Sequence, residues 1–196
     1  MNFLAHCALA DSDQRLVVGG FLGDFIKGSI PSALPDRVRV GVRLHRRLDA
    51  FSAVEPNIKA SVLRLPVTAR RVGGVFIDLV TDHFLARGFE RLQGEPLGDF
   101  TARTYRTLQA HAHLLPQDAR RFLDFAAERD LFAEYVERTP VERAFARICR
   151  RLNRVELIHA CMDAFDADYA EFEADFDIYY PALQAHADKW IAQQRD

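Results

Sequence analysis

Residues 66–89 read PVTARRVGGVFIDLVTDHFLARGF, and this stretch decides the class of fold. Pro66 suits the first turn of a helix and Gly88 suits its end, so the stretch predicts one long helix. Its apolar residues do not alternate with polar ones as they would in a half-buried strand. Asp78 and Asp82 nevertheless lie four residues apart inside this apolar run, and that spacing places both carboxylates on one face of the helix.

The rest of the chain has the same helical character, and it contains no Asn-Gly or Asp-Gly hairpin signal. Pro and Gly punctuate the periodic segments, and the stretch 94–98 is expected to be a loop. Asn2 is a candidate cap of the first helix. Further helices are predicted over residues 2–10, 13–27, 35–51, 55–65, 99–115, 116–129, 140–151 and 155–193, the last of them breaking near Asp163 and again at Pro181.

Length and composition place the chain among globular proteins. With 196 residues, of which 49% are hydrophobic, we expect a single all-α domain over residues 1–196, a compact multi-helix bundle. This content of apolar residues excludes disorder as the main state. No apolar stretch is long enough for a transmembrane span, and the first residues lack the basic start of a secretory signal.

The cysteines indicate a reducing compartment. The chain has three, Cys7, Cys149 and Cys161, an odd number with no C-x-x-C pair. We therefore expect a cytoplasmic protein. No nucleic-acid-binding motif is present, so neither nucleic acid nor membrane is an expected partner.

The distribution of His and Asp residues points to chemistry. Four predicted helices in the first ninety residues each bring such a residue into an apolar setting, and burying an unpaired carboxylate there is costly. Groups of this kind are kept when they are paired or bind a metal, and mixed imidazole and carboxylate ligands suit Mn²⁺, Fe, Zn²⁺ or Mg²⁺. The set consists of His6, Asp24, His45, Asp49, Asp78, Asp82 and His83.

Ion pairing is the structural alternative for the same carboxylates. Asp24 could cap a helix or pair with Arg46, and Asp78 and Asp82 could pair with Arg70, Arg71 or Arg87.

The predicted helix 35–51 carries a basic stripe at spacings of three and four, formed by Arg39, Arg43, Arg46 and Arg47. A metal site beside arginines is what phosphoester hydrolysis needs, because the metal activates water and Arg binds phosphoryl oxygens. A solvated basic face is the alternative for the stripe.

Several of these residues occur in motifs that resemble one known family. The motifs are Asn2-Phe-Leu-Ala-His6, Gly23-Asp24-Phe25, Gly41-Val-Arg-Leu-His45-Arg-Arg-Leu-Asp49 and Asp78-Leu-Val-Thr-Asp82-His83-Phe84-Leu85. In this order and spacing they resemble the acyl carrier protein phosphodiesterase family, also called acyl carrier protein hydrolase. The resemblance is specific over residues 1 to about 90, and beyond them it rests on helical character and Tyr179-Tyr180-Pro181.

The resemblance implies an all-helical cytoplasmic hydrolase, distantly similar to the HD-domain phosphohydrolases. Such enzymes remove 4′-phosphopantetheine from holo-acyl carrier protein and depend on a divalent cation, with Mn²⁺ expected here and Mg²⁺ or Co²⁺ as substitutes. The resemblance implies functional roles for His6, Asp24, His45, Asp49, Asp78, Asp82 and His83. As a hypothesis for how these roles divide, we expect metal ligands among Asp24, His45, Asp49, Asp82 and His83. We expect catalytic or phosphate-binding roles for Asp24, His6, Asp78, Arg46 and Arg47.

Two other hypotheses stay open at the level of sequence. The first is an HD-like phosphohydrolase that acts on a small nucleotide or phosphodiester. The second is a helical binding protein without catalytic activity, in which the His and Asp residues form a structural polar network. For the leading hypothesis, the basic stripe is expected to steer an acidic carrier protein.

Overall fold

The computed structural model describes residues 2–194, and over these residues the chain is built from α-helices and short 3₁₀ turns, without a β-strand. The all-α prediction is thereby confirmed. Within this range no helix has the length and apolar character needed to cross a membrane. The helices are α1 (Phe3–Leu9), α2 (Gln14–Leu22), α3 (Asp36–Ser52), α4 (Pro56–Arg64), α5 (Arg70–Arg87), α6 (Phe89–Gln93), α7 (Leu97–Ala110), α8 (Gln117–Arg129), α9 (Leu131–Glu134), α10 (Arg138–Arg151), α11 (Leu157–Ala167) and α12 (Tyr169–Ala192).

Helix α5 lies at the centre of the core, packed against α1, α4, α10 and α12. Its central position follows from its sequence, since apolar side chains cover most of its circumference and have to be buried on several sides. Phe76 meets Phe145 of α10 at 4.8 Å between ring centroids, and Phe84 meets Phe176 of α12 at 5.6 Å. The long helix predicted over 66–89 is therefore real, preceded by a 3₁₀ turn at Val67–Ala69.

Helices α2 and α3 pack with their backbones in contact, and glycines make that approach feasible. A Cβ atom added to Gly19 would lie 2.6 Å from the Cα atom of Gly41, and one added to Gly41 would lie 2.8 Å from the Cα atom of Gly19. A side chain larger than hydrogen at either position would force the two helices apart. This contact sets how α3 lies against the amino-terminal helices.

Several predicted boundaries were wrong. Helix α2 ends at Leu22 rather than residue 27, because the chain turns at Gly23 and the backbone N–H groups of Phe25 and Ile26 both bond to the carbonyl of Leu22. The 94–98 loop is shorter than expected, since α7 begins at Leu97.

The carboxy-terminal helix also differs from its prediction. The break lies at Asp168 rather than Asp163, and α12 continues through Pro181. Proline removes the hydrogen bond to the carbonyl four residues earlier, which is that of Asp177. Both residues are exposed, so the missing bond falls on the solvent side of the helix, where its loss costs less than in the core.

The α2–α3 contact generates a stability prediction. Gly19→Ala should lower the free energy of unfolding by about 3 kcal/mol, because the added methyl group collides with the backbone of α3. Gly98→Ala, where the new Cβ meets nothing within 4 Å, is the matched control and should be neutral or slightly stabilising. Urea unfolding measures both changes. Equal stability of the two variants would show that α2 and α3 are not held in contact at Gly19.

Candidate metal centre

Two imidazole rings converge on one carboxylate at the junction of α1 and α3. The Nε2 atom of His6 lies 3.1 Å from Oδ1 of Asp49, and Nε2 of His45 lies 3.2 Å from Oδ2 of the same residue. The two rings stack at 3.6 Å between centroids. Asp24 stands next to this group, with its Oδ1 atom 3.9 Å from Nε2 of His45. Spacing of four residues along α3 explains why His45 and Asp49 share a face.

The backbone of α2 fixes the orientation of His45. Its Nδ1 atom lies 2.8 Å from the carbonyl oxygen of Gly20, which only accepts, so Nδ1 donates this hydrogen bond. In the neutral ring the lone pair is then on Nε2, which faces Asp49 and Asp24. The ring packs directly on Gly23, where any Cβ would overlap the imidazole. This arrangement is typical of metal-binding histidines, whose second nitrogen donates to a carbonyl or carboxylate.

The ionisable groups of the cluster have their pKa values shifted in different directions. Burial and the neighbouring His45 lower the pKa of His6 to about 3, so the ring of His6 is neutral at physiological pH. Burial raises the pKa of Asp49 by itself, but the close contacts with the imidazoles of His45 and His6 outweigh it and hold that pKa far below its ordinary range. Burial raises the pKa of Asp24, an effect that His45 partly offsets. The result is one firmly ionised carboxylate beside one that protonates more readily.

The donor set fits a divalent cation. Ligating atoms of His6, His45 and Asp49 all lie within 4.8 Å of one another. Two ligands about 2.1 Å from a metal and at right angles to each other are about 3.0 Å apart, close to the two nitrogen–oxygen distances seen here. Two imidazole nitrogens and a carboxylate oxygen suit Mn²⁺, Fe²⁺, Co²⁺ or Zn²⁺. Among the described residues the buried Nδ1 atom of His6 has no hydrogen-bond partner.

A cavity of about 580 Å³ opens beside the cluster. Asp24 and Asp49 line it, so the carboxylates that face the imidazoles also face this space. Asp78 of α5 lines it as well, and Lys59 and Arg70 are the cations among its described lining residues. The Arg70 guanidinium donates to the carbonyls of Leu65 and Leu63. The cavity therefore joins a metal-type donor set to a space large enough for a small ligand.

The structure gives Asp82 a different environment. Its carboxylate is fully buried and accepts hydrogen bonds from the backbone N–H groups of Leu4 at 3.0 Å and Ala5 at 2.9 Å. Burial raises the pKa of Asp82 to about 7, while these two donors act in the opposite direction. Asp82 thus caps the start of α1 from another helix. Asn2 does not cap it, because its side chain donates to the hydroxyl of Tyr135.

His83 also lies away from the cluster. Its Nδ1 atom is 2.8 Å from the carbonyl oxygen of Tyr135, and its Nε2 atom is 2.8 Å from the hydroxyl of Tyr169. It lines a separate cavity with Arg87 and Arg138. The expectation that Asp82 and His83 bind a metal stays a prediction, and the structure does not place them with His6, His45 and Asp49.

The two arginines expected to meet phosphate lie on α3. Arg46 donates from Nη2 to the carbonyl of Ile26 at 2.9 Å and so braces the turn after α2 rather than pairing with Asp24. Arg47 is exposed. Neither is among the described residues that line the cavity beside Asp24 and Asp49, where the cations are Lys59 and Arg70.

Sequence reasoning missed several residues around the cluster. Gly20 supplies the carbonyl that orients His45, and a main-chain group leaves no signal in a sequence. Gly23 was quoted within the motif Gly23-Asp24-Phe25, but the motif does not show that the ring of His45 packs on this glycine. Ser52, Lys59 and Gly74 line the cavity, and their residue types are too common in ordinary helices to stand out.

The fold and the cluster together define an all-helical protein with a histidine–aspartate centre of the kind that holds a divalent cation. The profile of the family "Acyl carrier protein phosphodiesterase" matches residues 1–183. A relative with that same name from Enterobacter sp. (strain 638) is 30% identical over 192 residues, covering 95% of this chain and 97% of the relative. Another from Escherichia coli O157:H7 (strain EC4115 / EHEC) is 26% identical over 193 residues, covering 96% and 98%.

The chain belongs to the acyl carrier protein phosphodiesterase family, as the sequence motifs indicated. No solved structure matches it significantly. The relation to HD-domain phosphohydrolases stays a prediction.

The shared carboxylate generates a prediction on metal binding. Asp49→Asn should weaken Mn²⁺ binding by about tenfold or more, because the charge between the two imidazoles is lost. Asp36→Asn, the same change at an exposed position of α3, should leave the affinity unchanged. His83→Gln should also leave it unchanged, because His83 lies in another cavity. Titration with Mn²⁺ followed by electron paramagnetic resonance measures all three. Wild-type affinity in Asp49→Asn, or a loss in His83→Gln, would contradict this location of the centre.

Proposed function

We propose that this protein hydrolyses the phosphodiester between 4′-phosphopantetheine and a serine of holo-acyl carrier protein, and that it needs a divalent cation, with Mn²⁺ preferred and Mg²⁺ or Co²⁺ as substitutes. The observation that carries the proposal is the convergence of His6, His45 and Asp49 at the edge of a cavity, in a chain whose relatives are named for this activity. The reaction is expected in the cytoplasm, in keeping with three buried, unpaired cysteines.

In this proposal His6, His45 and Asp49 hold the cation, with Asp24 close enough to complete the set through its 3.9 Å approach to His45. A bound divalent cation polarises phosphoryl oxygens and lowers the pKa of water. The rest of the chemistry belongs to the protein. The hydrogen bond from His45 to Gly20 directs Nε2 at the centre, and the burial of His6 keeps its ring neutral and able to bind.

Hydrolysis adds a hydroxyl group to phosphorus and a proton to the departing serine oxygen, so the site has to move protons. Asp24 suits this task, because burial raises its pKa and the residue lines the cavity beside the cluster. Asp78 lines the same cavity and provides a second carboxylate. Lys59 is the cation placed to meet the negative charge of the phosphate on this side, and Arg46 and Arg47 stay candidates for that charge from α3.

The basic stripe of α3 is the proposed docking surface for the carrier. Arg43 and Arg47 are exposed, and Arg39 forms an ion pair with the exposed Asp36 at 2.8 Å. An acidic partner would gain from this field mainly in its rate of association. Exposed charges are screened by salt, so docking of this kind weakens as ionic strength rises.

The activity is tested by the mass of the carrier. Incubation of holo-acyl carrier protein with the protein and Mn²⁺ should remove the phosphopantetheine mass, as measured by intact mass spectrometry. A chelator should abolish the loss, and added Mn²⁺ should restore it. The rate should also fall with rising ionic strength if the stripe of α3 steers the carrier.

Three results would contradict the proposal. An intact carrier in the presence of bound metal, together with cleavage of small phosphodiesters, would favour a phosphohydrolase of small substrates. An intact carrier with no metal bound would favour a helical binding protein. Cleavage that persists in chelator would remove the cation from the proposal.

A further inference from the structure

The cavity beside the metal centre has walls of a particular chemistry. Ile58, Val62 and Leu63 of α4 line it with aliphatic groups, and none of its described lining residues is aromatic. Sites that hold a nucleobase commonly stack it on an aromatic ring. An aliphatic wall instead suits a flexible, saturated chain. Because Asp24 and Asp49 belong both to the cavity wall and to the metal centre, a chain in the cavity is continuous with a phosphate at that centre.

Glycine keeps the cavity open on its α5 side. Gly73 is required by packing, since a Cβ there would lie 2.8 Å from a methyl group of Val62, but a Cβ at Gly74 would meet nothing within 4 Å. Packing therefore gives no reason for glycine at position 74, where it lowers helix propensity. Gly74 lines the cavity, so any larger side chain would extend into this space.

We propose that this cavity binds the pantetheine part of the substrate, a flexible aliphatic chain with amide groups, while the phosphate lies at the metal centre and the folded carrier stays outside. This proposal rests on the proposed function, because that function places the phosphate, to which the pantetheine chain is attached, at the metal centre. A volume of about 580 Å³ lies within the usual range for sites of small ligands. The aliphatic walls and the open space at Gly74 match this chain rather than a nucleoside.

The test compares Gly74→Leu with Gly98→Leu in the Mn²⁺-loaded protein. Both positions lie in helices and have open space around the new Cβ, but only Gly74 lines the cavity. Gly74→Leu should lower kcat/KM for holo-acyl carrier protein tenfold or more and should abolish binding of free pantetheine, measured by nuclear magnetic resonance, while Mn²⁺ affinity stays that of the wild type. Gly98→Leu should match the wild type throughout.

Failure of this inference is distinguishable from failure of the proposed function. If the wild type cleaves the carrier and Gly74→Leu does so equally well, the cavity does not hold the chain. Binding of adenosine monophosphate in place of pantetheine would also overturn the inference. If the wild type does not cleave the carrier yet binds pantetheine in a way that Gly74→Leu abolishes, the proposed function fails and the binding site stands.

Discussion

The candidate site depends on one carboxylate shared by two imidazole rings. Asp49 reaches His6 on α1 and His45 on its own helix, with a different oxygen for each. Such an arrangement requires α1, α2 and α3 to lie unusually close together, since the two rings stack at 3.6 Å and one of them packs on the backbone at Gly23. The glycine contact between α2 and α3 therefore serves the site as well as the core.

Helix α1 contributes His6 although it has only seven residues. A helix this short is not stable by itself, so its position comes from tertiary contacts. Asp82 provides the firmest of them, because its buried carboxylate binds two backbone N–H groups at the start of α1. The core helix α5 in this way sets the position of His6 through a residue that does not belong to the cluster.

The sequence was informative where spacing along one helix decides the geometry. His45 and Asp49 share a face of α3 because they are four residues apart, and their polar character in an apolar setting indicated a site. The roles of Asp82 and His83 could not be separated in this way. They are neighbours on α5 and point in directions about 100° apart, and only the packing of α1 and of Tyr135 and Tyr169 determines what each of them meets. Backbone partners such as the carbonyl of Gly20 leave no trace in residue types. The continuation of α12 through Pro181 depends on exposure, which is also a property of the assembled fold.

The most direct measurement is the location of the metal itself. A crystal grown or soaked with Mn²⁺ and measured at the manganese absorption edge gives an anomalous peak wherever the ion binds. If Asp49 and the two imidazoles form the metal centre, the peak lies about 2.2 Å from Nε2 of His6, Nε2 of His45 and an oxygen of Asp49. A peak beside Asp82 or His83 instead, or the absence of a peak at Asp49 in a protein that cleaves holo-acyl carrier protein, would contradict it.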